Sequence, residues 1–163
     1  MRIVPVGPEV VAALWRQWWF TAEIVSAGRT HTPVTVEAWA VADAGGSWSG
    51  LASVRRGPAP DEWELVSLNG DPPGRGAGTA LLDAVKRHVA AAGASRLWLT
   101  TTNDNVAALD WYQHRGLRLV GVHLDAVTSA RRLKPEIPEH GAGGVTLRDE
   151  WELEWRPSGT LSD

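Results

Sequence analysis

The sequence predicts a mixed α/β fold, and three observations carry that reading. Strand-like runs joined by glycine turns occupy residues 37–69, a glycine-rich turn then connects a strand to a helix, and a strictly alternating strand closes the chain. Hairpins, one β-α-β crossover and returning strands, in that order, are the pattern of a mixed α/β chain. The length of 163 residues fits a single domain, residues 1–163, able to bury a substantial core.

The elements follow in order. Residues 3–5 read as a short opening strand. Pro8-Glu9 starts a helix to about Phe20, with Val10, Leu14 and Trp18 on one stripe. Thr21 to Pro33 reads as loop plus a second short helix. Glu37 to Ala42 and Ser49 to Val54 are strands joined through Asp43-Ala44-Gly45-Gly46 as a hairpin. Gly57-Pro58-Ala59-Pro60-Asp61 turns into a strand from Glu62 to Asn69. The helix Thr79 to Ala92 faces Leu81, Leu82, Val85 and Val89 inward and lets Asp83 pair with Arg87.

After Gly93, Arg96 to Thr100 is a short buried strand of the kind found in parallel pairs. Asn103-Asp104 supplies capping chemistry for a helix from about Asn105 to Arg115, closed by Gly116. Leu117 to Leu124 is the next strand. Ala126 to Gly144 shows little pattern beyond a helical turn at Ser129 to Leu133. Leu147 to Arg156 sets Trp151, Leu153 and Trp155 on one face and Glu150, Glu152 and Glu154 on the other. That acidic face is either a solvated strand face or an attractor for a cationic substrate. Low-complexity composition is confined to the tail Pro157 to Asp163.

Composition narrows the function. A hydrophobic content of 44% and a charged content of 21% are those of a soluble globular protein. A net charge of −3 without a basic run argues against nucleic acid and suits a cationic substrate. No apolar run reaches the ~18 residues of a membrane span, and the N-terminus lacks a signal-peptide pattern, so a cytoplasmic protein is expected. The absence of cysteine excludes disulfides, thiolate metal sites and a cysteine nucleophile. No His/Asp/Glu spacing resembles a metal site, so no metal is expected. Ten tryptophans stand against one phenylalanine, Phe20, and one tyrosine, Tyr112. Most read as core or interface bulk, and tryptophan faces on the end strands favour a homodimer.

The densest chemistry lies in Pro72-Pro73-Gly74-Arg75-Gly76-Ala77-Gly78-Thr79-Ala80-Leu81-Leu82. Alternate glycines turn the backbone sharply and uncover N–H groups, and a helix N-terminus adds a positive dipole, which together make a seat for phosphate. A nucleotide-hydrolysing P-loop needs a Lys-Ser/Thr pair after the last glycine, but Thr79-Ala80 follows Gly78 here. A dinucleotide loop needs G-x-G-x-x-G after the first strand, whereas this loop reads G-x-G-x-G and lies mid-chain.

The run Gly74 to Leu82 resembles the coenzyme A loop of the GCN5-related N-acetyltransferases, Arg/Gln-x-x-Gly-x-Gly/Ala. One strand later, Asn105-Val106-Ala107-Ala108-Leu109-Asp110-Trp111-Tyr112-Gln113-His114-Arg115-Gly116-Leu117 is similar to the family's Asn-x-x-Ala-x-x-x-Tyr-x-x-x-Gly-Phe. The resemblance covers about Ile3 to Leu124. Pro73 replaces the family's leading Arg/Gln, which removes one side-chain contact to phosphate, and Leu117 replaces the phenylalanine.

The resemblance implies a mostly antiparallel central sheet flanked by helices, with a β-α-β coenzyme A-binding core. It implies acetyl transfer from acetyl-CoA, the cosubstrate, to a primary amine, with direct attack in a ternary complex. The acceptor expected is a small-molecule amine, and a non-catalytic acyl-CoA-binding regulatory module is the alternative. Backbone N–H groups of Gly74, Arg75, Gly76, Ala77, Gly78 and Thr79 are implied to grip pyrophosphate, with the Arg75 side chain adding a contact. Backbone groups of Ser67, Leu68 and Asn69 are implied to hold the pantetheine arm. Asn105 either contacts the coenzyme or caps its helix. Tyr112 matches the tyrosine that protonates the departing thiolate, against an aromatic packed at a helix end. Glu64 is the candidate base, acting through water, against a solvated strand glutamate; alternation puts it with Glu62, Val66 and Leu68 on one face. Thr100 to Asp104, His31 and His123 are weaker candidates for acceptor contacts, and His114 reads as a solvated helix residue.

Overall fold

The computed structural model describes residues 1–158, so residues 159–163 of the tail lie outside the described residues. In chain order the elements are β1 (Arg2–Val6), α1 (Pro8–Trp19), β2 (Ile24–Ser26), β3 (Arg29–His31), β4 (Glu37–Ala42), β5 (Trp48–Arg56), β6 (Glu62–Gly70), α2 (Ala77–Ala91), β7 (Arg96–Thr102), α3 (Val106–Gln113), β8 (Arg118–His123), α4 (Ala126–Ala130) and β9 (Glu150–Trp155). They form the mixed α/β fold that the sequence predicts, with a seven-stranded, mostly antiparallel sheet flanked by helices. The chain divides into two compact units.

The first unit comprises Met1–Ile24 and His31–Leu97, with residues 156–158. Its strands β1, β4, β5 and β6 lie side by side, each pair antiparallel. The β4–β5 hairpin turns where predicted: the Asp43 carboxylate accepts N–H bonds from Gly45 (2.8 Å) and Ser47 (2.9 Å), and Gly46 takes a left-handed φ of 82°. Pro at the first position, where no N–H is needed, opens α1. Its buried stripe is Val11, Leu14 and Trp15 with Trp18 packed alongside, one residue round from the predicted Val10-Leu14-Trp18. Trp15 decides this rotation, because burying the indole removes more apolar surface from water than burying Val10. The stripe packs on Ala38, Ala40 and Leu51, which alternate along their strands with residues on the opposite face.

That opposite face carries α2, whose Leu81, Leu82, Val85 and Val89 are fully buried as predicted. The helix starts close to the sheet because two strand positions lack side chains. A Cβ on Gly50 would lie 2.9 Å from Leu81 Cδ1 and 3.0 Å from the Asn69 carbonyl oxygen, and one on Gly70 would lie 3.1 Å from Gly78 N. Gly50→Ala is therefore expected to destabilise the protein by about 1–3 kcal/mol. The check is urea unfolding: a lower midpoint at constant slope is expected, and an unmoved midpoint would mean that α2 can yield. The predicted Asp83–Arg87 pair does not form.

The second unit comprises Val25–Thr30 and Trp98–Trp155. Val25–Thr30 belongs to a hairpin, which corrects the short helix expected within Thr21 to Pro33. Ala27 (φ 48°) and Gly28 (φ 72°) are both left-handed, the signature of a two-residue type I′ turn, and β-branched Val25 and Thr30 flank it. β8 and β9 pair antiparallel, with a bulge where Val120 is skipped between Leu119 and Gly121. The helical turn expected at Ser129 to Leu133 begins earlier, as α4. From there to β9 the chain is held by side-chain-to-backbone bonds. The Arg131 guanidinium donates to the carbonyls of Ile137 (3.2 Å), Pro138 (2.6 Å) and Leu147 (2.7 Å).

Candidate active site

The glycine turn that the sequence offers as a phosphate seat lies in the first unit. Residues 71–76 are exposed, and Gly74 (φ 81°) and Gly76 (φ 86°) occupy left-handed conformations that favour glycine. Gly76 is the N-cap of α2, which begins at Ala77, two residues before the predicted start. No side chain caps this helix, and its first intrahelical bond runs from Ala80 N–H to Gly76 O at 3.0 Å. The amides of Ala77 and Gly78 precede that bond and so have no intrahelical acceptor. Added to the dipole, they form an anion-binding end. Arg75 is exposed and makes no hydrogen bond or ion pair with any described residue. The loop itself is anchored: Trp18 Nε1 donates to Asp71 Oδ2 at 3.1 Å, and Asp71 N–H donates to Ser49 O at 2.9 Å.

Ser67, Leu68 and Asn69 lie on β6 opposite Ser53, Ala52 and Leu51. Pairing then jumps from Ser67↔Ser53 to Leu65↔Val54, so Val66 is a bulge residue. The bulge breaks the expected alternation: Val66 and Ser67 share the α1-facing side, and Leu68 turns to the other face, away from Glu64. Ser67 accepts from Trp15 Nε1 at 3.1 Å, and its hydroxyl lies 2.6 Å from that of Ser53, which satisfies three buried polar groups together.

Glu64 is fully buried, so it is not the solvated strand glutamate that stood as the alternative. Its Oε1 lies 3.4 Å from Nε2 of His31, itself fully buried, and the other ring nitrogen of His31 lies 3.5 Å from Arg55 Nη1. Arg55 is also the cross-strand neighbour of Glu64 on β5. His31 is thus a core residue partnered by a carboxylate. No spacing pattern links His31, Arg55 and Glu64 in the sequence, so this cluster was legible only as separate residues.

In the second unit, Asn105 is the N-cap of α3: its Oδ1 accepts from Ala108 N–H at 3.1 Å. The cap thus falls on Asn105 and not on Asn103-Asp104. Those two residues instead pin the 141–149 segment. Asn103 donates to Thr146 O (2.9 Å) and accepts from the N–H groups of Arg148 and Asp149 (3.0 Å each), while Asp104 accepts from Thr102 Oγ1 and from Ala142 N–H. A side chain at Gly141 would have to displace the Asp104 carboxylate and the Leu147 side chain. Near the end of β9's lead-in, the Arg148 guanidinium and the Asp125 N–H hold the Asp149 carboxyl below its ordinary pKa.

Tyr112 sits near the end of α3, half-buried, with its ring edge-on to Trp111 at 5.1 Å. Arg115 lies 3.7 Å over the Trp111 ring, and Gly116 (φ 81°) ends the helix as predicted. The Tyr112 hydroxyl has no hydrogen-bond partner among the described residues, and burial pushes its pKa well above the ordinary 10.0. It is held as a neutral O–H donor. His114 is an exposed helix residue beside Asp110, as expected. His123 is 3.0 Å from Glu152.

The acidic face of β9 is not the solvated strand face that stood as one of its two readings. Glu150 and Glu154 are buried and Glu152 is half-buried, while Trp151 and Trp155 keep part of their surface exposed. Among the described residues no group of His, Cys, Asp and Glu is assembled that could hold a metal ion, and no helix is long and apolar enough to cross a membrane.

Known proteins resemble this chain in sequence and in fold. The chain is 47% identical over 87 residues to the uncharacterized protein YdhI of Bacillus subtilis (strain 168), a match spanning 53% of this chain and only 54% of that protein. It is 30% identical to the uncharacterized protein YxbD of the same strain over 153 residues, 92% of this chain and 95% of that one. Its fold is similar to a GNAT family acetyltransferase from Elizabethkingia anophelis, solved with acetyl-CoA bound, with a TM-score of 0.69 at 16% identity over 96% of this chain and 97% of that one. The model of the acetyltransferase (GNAT) family matches residues 9–117, a span that holds the glycine loop, the uncapped start of α2 and the Asn105–Gly116 helix. This chain belongs to the GNAT acetyltransferase family.

Proposed function

We propose that the protein is an N-acetyltransferase that moves an acetyl group from acetyl-CoA to a primary amine of a small molecule. One observation carries the reading: the uncapped N-terminus of α2 behind an exposed glycine turn, with Gly74 and Gly76 left-handed and Arg75 without a partner among the described residues. A side chain at the N-cap would satisfy the first amides of α2, and its absence leaves those of Ala77 and Gly78 for a ligand's phosphates. The fit to a pyrophosphate is therefore good, with backbone N–H groups of residues 74–79 as donors and Arg75 as the side-chain contact. Ser67, Leu68 and Asn69 are assigned the pantetheine arm through their backbone, and Asn105 a coenzyme contact beside its capping bond.

In the reaction the amine nitrogen attacks the thioester carbon, the C–S bond breaks, the amine loses a proton and the departing sulfur gains one. Tyr112 is assigned the donated proton and Glu64 the removed one, through water. With no cysteine in the chain, no acetyl-cysteine can form, so attack is direct. A homodimer is also proposed, on the exposed Leu119, Val120 and Val122 of β8.

The test is thiol release from acetyl-CoA across a panel of amines. Turnover is expected, with Arg75→Ala raising KM for acetyl-CoA several-fold at unchanged kcat. Tight acetyl-CoA binding without thiol release on any amine would identify a non-catalytic acyl-CoA-binding module instead.

A further inference from the structure

The second unit contains a partly open cavity of about 350 Å³ between the Val25–Thr30 hairpin, α4 and the β8–β9 pair. Pockets for small ligands begin at about this size. Ala126, Ala130 and Leu133 give it an apolar wall, and Glu150, Glu152 and His123 supply its charged and polar groups. Glu150 and Glu152 line the same cavity because strand side chains alternate with a period of two.

Carboxylates on a strand are ordinary when water covers them. Glu150 is only 5% exposed. Its one hydrogen bond comes from the Ala27 N–H to Oε2 at 3.3 Å, and no cation among the described residues pairs with it. A buried carboxylate is costly unless a cation or several donors compensate it, and a single long N–H bond compensates weakly. Glu152 differs: His123 Nε2 lies 3.0 Å from its Oε1. The missing counter-charge at Glu150 therefore defines the ligand. It must carry a positive N–H donor, fit a small cavity and present a short apolar body to the alanines and Leu133.

We propose that this cavity binds a small alkylammonium ligand, with Glu150 taking the ammonium group. That this ligand is the acetyl acceptor rests on the acetyltransferase reading above; the binding itself does not. His123 and Glu152 form the second polar corner of the pocket, and the apolar wall selects against highly hydrated cations.

The experiment is calorimetric titration of the full chain, without acetyl-CoA, with n-hexylamine and 1,4-diaminobutane, using hexan-1-ol as the uncharged control. Saturable binding of at least one amine is expected, with the alcohol bound at least tenfold more weakly. Glu150→Gln retains an acceptor for the Ala27 N–H and should weaken the amine by tenfold or more. Ser129→Trp, from the exposed rim position Ser129, should fill the cavity and abolish binding without touching any charge. Equal affinity in the wild type and Glu150→Gln would overturn the inference, as would binding of neither amine or undiminished binding in Ser129→Trp. The two readings separate cleanly. Amine binding that follows these variants, with no thiol ever released, leaves the pocket and removes the acetyltransferase. Turnover of a panel amine whose KM ignores Glu150→Gln and Ser129→Trp does the reverse.

Discussion

Tyr112→Phe is expected to lower kcat by about 10²-fold or more, with KM for acetyl-CoA changed little. The variant loses only the hydroxyl, and the edge-on contact with Trp111 stays, so the fold should be preserved. Burial raises the phenol above its ordinary 10.0, which keeps it protonated at every pH below that value. The loss should accordingly be the same from pH 6 to pH 9, and any alkaline limb within that range belongs to another group. A donor this weakly acidic gives up its proton late, once the C–S bond is largely broken and the sulfur has become the stronger base. The measurement is kcat across that pH range for both proteins with one amine. A near-normal rate, or a ratio that changes with pH, removes Tyr112 from the proton-donor role.

Glu64→Gln should lower kcat/KM by about 10²-fold and remove the limb at low pH. Burial makes this prediction two-sided. Glu64 is fully buried against His31, so its carboxylate also belongs to a core cluster with Arg55. A structural role predicts a lower Tm with an unchanged shape of the pH profile, because the groups that titrate in the reaction are still present. A base predicts loss of the acid limb even where Tm holds. Measuring both on the same variant separates the roles, since Gln keeps the volume and one acceptor oxygen. An unchanged profile assigns proton removal to water or to another group.

Which parts of this were legible in the sequence follows from the range of the forces involved. The glycine loop, the inward face of α2, the hairpin at Asp43 and the termination of α3 at Gly116 are set by backbone conformation and by periodicity within a few residues. The rotated stripe of α1 required knowing that Trp15 finds room among Ala38, Ala40 and Leu51. The hairpin at residues 24–31 was missed because three-residue strands carry no measurable period. The bulge at Val66 was missed because strict alternation was assumed through β6, although the apolar pair Leu65-Val66 shifts its polar/apolar phase and the partner strand shows the slip.

The site residues divide in the same way. Asn105 and Tyr112 were placed by their spacing along one helix, and Gly74 to Thr79 by a local turn. The sequence by itself determined the mixed α/β order, the glycine turn ahead of α2 and the family motifs, because each depends on neighbours along the chain. Only the tertiary structure decided that Glu64 is buried against His31, that Asn103 and Asp104 pin residues 141–149, and that Glu150 lies buried without a cation. Those outcomes depend on groups that chain distance separates and folding brings together. Desolvation, which governs what a carboxylate does, has no value until the core around it exists.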